Sequence, residues 1–295
     1  MASRPRITIS TLREHKRDQR RFSMITCYDY ATARIIEESG IDSVLVGDTY
    51  AEVCLGHDTT LPARLDHMVT LAEAVRRGAP TAYLVGDMPF LSYQTSRRDA
   101  IINAGRFMAE AGCDCVKVEV DRRLLKTVEA MATASIPVMA HLGLKPQAVQ
   151  SIGGYRIQGR KASDALAIVE DARLMEEAGA VALLLEAVPA EVAAAVTQST
   201  ALPVIGIACG PHCDGQVVVL HDMLGYGGGH PPRSVKQYAQ LYDIMMTAFR
   251  SYADEVSQGV FPSPDAGAHM DPAEAGELRR LLHLTQPNMA RTGGA

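Results

Sequence analysis

Two opposite charges stand at alternating positions of one apolar run, Val116-Lys117-Val118-Glu119-Val120. If this run is a β-strand, Lys117 and Glu119 point to the same face, because side chains alternate along a strand. An unpaired charge in an ordinary core is costly, so both must be paired, bound to a metal or wet at a strand end. The pattern predicts a reactive site at the end of a strand.

Polar residues also close other short apolar runs. In chain order these strand-end residues are Asp29, Asp48, Asp87, Lys117 with Glu119, His141 and Glu186. If the runs are parallel strands, five carboxylates ring one edge of the sheet. They would repel one another and raise one another's pKa, which favours a bound divalent cation such as Mg²⁺.

Three of these residues also have a purely structural interpretation. An Asp after a strand is commonly a helix N-cap or part of a turn, which is the alternative for Asp29. Glu119 lies within the run and cannot be a cap, so its structural alternative is an ion pair with Lys117 and no metal. His141 has the alternative of a hydrogen-bonded core histidine.

The remaining carboxylates favour chemistry more strongly. Asp48 and Asp87 share the form Val-Gly-Asp, in which the glycine allows close approach of backbone or ligand. Glu186 follows three leucines, so we expect burial to raise its pKa toward that of a general base, with a salt bridge as the alternative. A cation, a lysine and a separate carboxylate suit removal of the C3 proton from a 2-oxo acid to give an enolate.

The elements that would position these residues form a repeat. Segments with helical spacing of apolar residues alternate with short apolar runs at 22–28, 41–46, 81–85, 113–120, 136–140, 181–185 and 204–208. Such a pattern predicts a parallel α/β sheet, and its length fits a closed (β/α)8 TIM barrel whose strand ends meet at one mouth. An open doubly wound sheet is the alternative, but no glycine-rich turn follows the first run. Residues 216–224 fit either strand or helix.

We expect a single catalytic domain at residues 22–262. A polar leading segment, 1–21, precedes it; its acidic residues favour a helix over a transit peptide. A helical pattern covers residues 234–256. A peripheral tail follows at 263–295, with a short helix at 273–284.

Composition excludes several classes of function. The chain has 295 residues, a net charge of −5 and 47% hydrophobic residues, as in soluble globular proteins. It lacks Trp and a basic stripe, so nucleic acid is not an expected partner. No run reaches the about 18 apolar residues of a membrane span. The six cysteines form no CxxC pair and are interpreted as reduced core residues of a cytoplasmic protein.

Ordered motifs extend this interpretation over residues 9–262. They are TCYDY (26–30), VGD (46–48), GHDTTLP (56–62), GDMPF (86–90), VKVE (116–119), HLGL (141–144), GGYRIQGR (153–160), LLEAVP (184–189) and DGQ (214–216). Together they resemble the ketopantoate (3-methyl-2-oxobutanoate) hydroxymethyltransferase family, within the superfamily of phosphoenolpyruvate mutase and isocitrate lyase barrels.

The resemblance implies roles for individual residues. Asp48, Asp87 and Glu119 stand where the family holds Mg²⁺, directly or through water. Together with those two aspartates, Thr49 and Lys117 would bind the oxo acid. Glu186 takes the position of the catalytic base.

The resemblance also implies a reaction and an assembly. The family transfers a hydroxymethyl group from 5,10-methylenetetrahydrofolate to 3-methyl-2-oxobutanoate, giving 2-dehydropantoate for pantothenate synthesis. It implies a cytoplasmic homo-oligomer, commonly a decamer, with small-molecule partners.

The chain departs from the family pattern at three places. Thr49-Tyr50-Ala51-Glu52 replaces a serine followed closely by glycine, residues 206–210 are bulkier than usual, and residues 263–266 lack the usual Glu-His-Ser-Phe. These changes leave open a paralogue for another 2-oxo acid, acting as a carbon–carbon lyase or aldolase without folate. Against a lyase, residues 121–137 show a helix and turn where that branch carries a catalytic cysteine loop. A silent assembly subunit is disfavoured because all five charged site residues are present.

Overall fold

A computed structural model describes residues 4–228, 232 and 234–282. The chain divides into two compact units, Met1–Gln240 and Leu241–Ala295. The first unit contains all of the strands in the described residues. The boundary expected between 262 and 263 stays a prediction.

The first unit is a closed barrel of eight parallel strands. The strands are β1 Phe22–Thr26, β2 Ser43–Val46, β3 Tyr83–Asp87, β4 Cys115–Glu119, β5 Val138–Gly143, β6 Ala182–Glu186, β7 Val204–Ile207 and β8 Gly215–Val218. Each pairs with its neighbour in the chain, and β8 returns to pair with β1. The predicted (β/α)8 barrel is confirmed, and the open sheet is excluded.

Helices connect and flank these strands. In the first unit they are α1 Ile9–Arg17, α2 Tyr30–Ser39, α3 Tyr50–Val53, α4 Leu65–Gly78, α5 Arg97–Ala109, α6 Leu125–Thr133, α7 Val149–Ile152, α8 Ala162–Glu177, α9 Ala190–Ser199 and α10 Leu220–Leu224. The second unit has α11 Leu241–Ser257 and α12 Pro272–Leu281. Among the residues described, no helix is long and apolar enough to cross a membrane.

Side-chain alternation along the strands produces two apolar cores. One fills the barrel interior with residues such as Phe22, Tyr83 and Met139, together with Leu12 of α1. The other lies between the strands and the surrounding helices and includes Val116 and Val118. Since these two valines face the helices, Lys117 and Glu119 project into the interior at the carboxyl end of β4.

Three segments differ from their predicted form or bounds. Residues 216–224 contain both elements, with β8 ending at Val218 and α10 beginning at Leu220. The helix expected at 234–256 begins only at Leu241, because the preceding backbone bonds elsewhere: Tyr238 N donates to Met223 O at 2.8 Å. The helix expected at 273–284 begins at Pro272 and ends at Leu281, and residues 283–284 lie outside the described part.

All six cysteines are free thiols. Five are buried, as expected of core residues, and Cys54 is exposed. Cys209 and Cys213 follow β7 with their sulfur atoms 3.7 Å apart.

Gly86 on β3 allows helix α5 to pack against the sheet. A Cβ atom there would overlap the ring of Phe107 and lie 3.1 Å from Cys113 Sγ. We therefore expect Gly86→Ala to lower the free energy of unfolding by about 1–3 kcal/mol, measured by urea denaturation.

Gly105, on α5 itself, provides the matched control. A Cβ atom at Gly105 has no neighbour within 4 Å, so Gly105→Ala should leave stability unchanged or raise it by up to about 1 kcal/mol. Equal stabilities for the two variants would contradict the packing argument.

Candidate active site

The predicted site residues meet at the carboxyl ends of the strands. Asp87 and Glu186 are the last residues of β3 and β6, and Asp48 follows β2 by two residues. The strand register sets Lys117 beside Asp87 and His141 beside Glu119. All of these residues except Glu119 line a cavity of about 110 Å³, whose wall also includes Thr49, Glu52 and Tyr155.

A buried ion pair lies at the centre of the site. Lys117 Nζ is 2.8 Å from Asp87 Oδ1, and Asp48 N donates to Asp87 Oδ2 at 3.0 Å. Burial and the nearby Asp48 carboxylate raise the pKa of Asp87, while Lys117 opposes them. Burial alone would lower the pKa of Lys117, but Asp87 and Asp48 outweigh it and raise that pKa, so Lys117 is a cation.

Gly47 lies just after β2, beside the side chains of Thr49 and Asp87. A side chain at position 47 would come within 3.1 Å of Thr49 Oγ1 and 3.8 Å of Asp87 Oδ2. The contact with Thr49 would be tight and the contact with Asp87 ordinary, so the close approach expected at this glycine stays a prediction.

Gln147 connects Glu119 to Asp48 through hydrogen bonds. The backbone N–H of Gln147 donates to both carboxylate oxygens of Glu119 at 3.0 and 3.2 Å, and its side-chain amide donates to Asp48 Oδ2 at 2.8 Å. Tyr93 OH accepts from Glu119 N and donates to Gln147 Oε1. Burial raises the pKa of Glu119 well above its ordinary value, Asp48 and Asp87 raise it further, and Lys117 opposes them.

His141 lies between the lysine and the candidate base. Burial, with Lys117 nearby, lowers the pKa of His141 well below its ordinary value, so the imidazole is neutral. Its Nδ1 is 3.3 Å from Lys117 Nζ, and an ammonium group can only donate, so Nδ1 accepts and the proton is on Nε2. That Nε2 lies 3.4 Å from Glu186 Oε2.

Glu186 has the environment of a base. Its side chain, 21% exposed, lies at the cavity wall. Burial raises the pKa of Glu186 to about 7, against the opposing charge of Lys117. A carboxyl with this pKa exchanges protons readily at neutral pH.

The site fits a divalent cation in charge and ligand chemistry. Asp48, Asp87 and Glu119 are all buried, and Lys117 pairs with Asp87. Within the described residues, no three His, Cys, Asp or Glu side chains converge closely enough to hold an ion. A cation bound here would therefore have to keep water ligands, as Mg²⁺ commonly does beside one or two carboxylates.

One residue of the strand-end set is not part of the site. Asp29 caps α2, accepting from Thr32 N at 2.8 Å and from the Thr32 hydroxyl. The cause is that β1 ends at Thr26, three residues earlier, so Asp29 stands at the N-cap of α2. Its structural interpretation was the correct one.

Sequence reasoning missed three residues, Tyr93, Gln147 and Tyr155, and it missed the contact of Tyr155 with Glu52. Tyr93 and Gln147 lie in segments after β3 and β5, where nothing in the sequence predicts burial of their polar groups. Tyr155 and Glu52 stood in a motif and a departure already noted, but their contact spans 103 positions.

Comparison with known proteins identifies the family of the chain. Residues 6–264 match the family model described as ketopantoate hydroxymethyltransferase. The 3-methyl-2-oxobutanoate hydroxymethyltransferases of Syntrophomonas wolfei and Moorella thermoacetica are each 45% identical, covering 88% and 90% of this chain and 94% and 98% of their own.

Solved structures show the same fold at lower identity. A phosphonopyruvate hydrolase aligns with a TM-score of 0.59 at 14% identity, covering 94% of this chain and 96% of its own. A 2,3-dimethylmalate lyase of the phosphoenolpyruvate mutase/isocitrate lyase superfamily aligns with a TM-score of 0.56 at 16% identity, covering 93% and 98%.

The family model spans every strand of the barrel and the cavity at its mouth, and both relatives cover most of the chain. The chain belongs to the ketopantoate hydroxymethyltransferase family.

Proposed function

We propose that this hydroxymethyltransferase uses Mg²⁺ and 5,10-methylenetetrahydrofolate to convert 3-methyl-2-oxobutanoate into 2-dehydropantoate, a step of pantothenate synthesis. The observation that carries the proposal is that a desolvated carboxyl, Glu186, and a buried ammonium, Lys117, line the same small cavity. The first group can remove a proton, and the second can stabilise the negative charge that results.

In the proposed mechanism, the oxo acid occupies the cavity with its C3 hydrogen toward Glu186. Glu186 takes the C3 proton, and the electron pair of the C–H bond becomes the C2–C3 double bond of the enolate. The Lys117 ammonium stabilises the charge that moves to the C2 oxygen, and Thr49 binds the substrate carboxylate. Water hydrolyses the one-carbon unit from 5,10-methylenetetrahydrofolate, which breaks its two bonds to folate nitrogens and releases formaldehyde and tetrahydrofolate. Carbon C3 of the enolate then bonds to the formaldehyde carbon, the C=O electron pair moves to the formaldehyde oxygen, and the proton held by Glu186 converts that alkoxide to the hydroxyl group.

The carboxylates have a separate role. Asp48 and Asp87 would hold Mg²⁺, with Glu119 acting through water or Gln147. When bound, the cation supplies Lewis acidity at the keto oxygen. Neutral His141 accepts from Lys117 and so keeps the ammonium directed at the cavity.

The second candidate is a paralogue acting on another 2-oxo acid as a carbon–carbon lyase or aldolase. The observation in its favour is Glu52, whose carboxylate lies in the cavity wall. Against it, residues 122–133 form a 3₁₀ turn and α6, leaving no cysteine-bearing loop after β4. Assembly into a homodecamer and a cytoplasmic location stay predictions of the resemblance.

Glu186→Gln tests the base. It should lower deuterium exchange at C3 of 3-methyl-2-oxobutanoate, followed by NMR, by about 10²–10⁴-fold, because an amide cannot take the proton. Binding of the oxo acid, measured by calorimetry, should persist. Glu191→Gln, an exposed change on α9, should exchange at the wild-type rate, and undiminished exchange in Glu186→Gln would remove this residue from its role.

The pKa of Glu186 sets a pH dependence. Only the carboxylate form accepts a proton, so kcat/KM for C3 exchange should rise with pH and reach half its maximum near pH 7. Below that point it should fall about tenfold per pH unit. A rate constant that does not change between pH 5.5 and 8.5 would exclude a base with this pKa.

Glu119→Ala tests the metal role. It should weaken Mg²⁺ binding about tenfold or more, measured both by calorimetry and by the Mg²⁺ concentration that restores C3 exchange after EDTA treatment. Glu177→Ala, an exposed change at the end of α8, provides the control. Identical Mg²⁺ dependence in both variants would count against Glu119 as a ligand.

A further inference from the structure

The segment at residues 153–159 connects α7 to α8 and has glycine bends at both ends. Gly153, Gly154 and Gly159 have φ angles of 78°, 114° and 75°, which favour glycine. A Cβ atom at Gly153 or Gly154 would have no neighbour within 4 Å, whereas Gly159 packs against Ile168 of α8. The segment is therefore anchored at its α8 end and has open space at its α7 end.

Two hydrogen bonds attach this segment on opposite sides of the cavity. Tyr155 OH donates to Glu52 Oε1 at 3.0 Å, and Gln158 N donates to Ala187 O at 2.9 Å. Glu52 belongs to α3, which follows β2, whereas Ala187 directly follows Glu186 on β6. The segment thus bridges the elements that carry the metal-binding aspartate and the candidate base.

Little apolar burial holds the segment in this position. Tyr155 and Ile157 are 52% and 53% exposed. Few buried contacts are typical of segments that open locally at low cost. The two hydrogen bonds therefore contribute a large share of the free energy that holds the segment in this position.

Glu52, in contrast, is on a rigid support. Tyr50 and Ala51 of α3 are buried, and Tyr50 OH lies 2.9 Å from His67 Nδ1. Burial, together with Asp48 and Glu186, raises the pKa of the Glu52 carboxyl, and the hydrogen bond from Tyr155 opposes this. The hydrogen-bond acceptor Glu52 is therefore held in place, whereas the donor Tyr155 lies on a segment that can move.

We propose that Glu52 and Tyr155 are positioning residues. Their hydrogen bond, called the latch below, holds the 153–159 segment across the cavity that would bind the oxo acid, and it limits solvent access to the proton held by Glu186. The proposal rests on the proposed function for its chemical consequence. With the latch closed, a proton taken from C3 returns to carbon or remains on Glu186 instead of exchanging with water. With the latch open, exchange with solvent increases relative to hydroxymethyl transfer.

Limited proteolysis tests the latch without any substrate. Trypsin can cut after the exposed Arg156 and Arg160 in or beside the segment, and cleavage is followed by mass spectrometry relative to the exposed Arg17 of α1. Tyr155→Phe and Glu52→Ala should each be cut about five- to tenfold faster, the factor for one lost hydrogen bond. Their double variant should be cut no faster than either, since both remove the same bond.

Two further variants separate the hydrogen bond from other effects. Glu52→Gln keeps a carbonyl acceptor for Tyr155 and should be cut at the wild-type rate. Tyr30→Phe removes an exposed hydroxyl that makes no hydrogen bond within the described residues, and it should also match the wild type. Wild-type cleavage in Tyr155→Phe, or additive effects in the double variant, would overturn the latch.

The second readout is the ratio of C3 deuterium exchange to hydroxymethyl transfer. It should rise at least fivefold in Tyr155→Phe and Glu52→Ala and stay near the wild-type value in Glu52→Gln. An unchanged ratio in variants that are cut faster would overturn the positioning role. Wild-type protein that catalyses neither reaction would instead overturn the proposed function, and proteolysis would then decide the latch alone.

Discussion

The Lys117–Asp87 ion pair is the interaction on which the site depends. It pairs Lys117 with one of three buried carboxyl groups and leaves a surplus of two, and burial beside Asp48 and Asp87 raises the pKa of Glu119. Removing either partner would leave an uncompensated buried charge, which costs more than the pair itself contributes. The surplus is tolerable because Gln147 donates hydrogen bonds to Glu119 and Asp48, and because a divalent cation would complete the balance of charge.

The barrel makes this concentration of charge possible. The strand register fixes Asp87 beside Lys117 and Glu119 beside His141, so these groups do not have to be ordered by flexible loops. Below them, Tyr83, Met139 and their neighbours fill the interior and keep water out from the opposite end. The desolvation that raises the pKa of Glu186 is thus a property of the whole fold rather than of one strand.

The fold and the strand-borne part of the site could be predicted because both follow from local patterns. Alternation placed Lys117 and Glu119 on one face, and the leucines before Glu186 indicated burial. The failures concern information that is not local. The cap at Asp29 depended on where β1 ends, the start of α11 depended on a bond from Tyr238 to Met223, and Gln147 and Tyr93 lie in loops with no periodic signal.

The charged residues of the site lie on strands, whereas part of the cavity wall lies on the segments that connect strands. This separation determines which sequence changes the site can tolerate. Loss of one residue within β4 would turn Lys117 and Glu119 toward the surrounding helices and destroy the site in a single event. Substitution in α3 alters the space above the substrate and leaves the charge cluster in place. Natural variation in the shape of the cavity should therefore accumulate around Tyr50–Val53, while the charged residues on the strands are inherited unchanged.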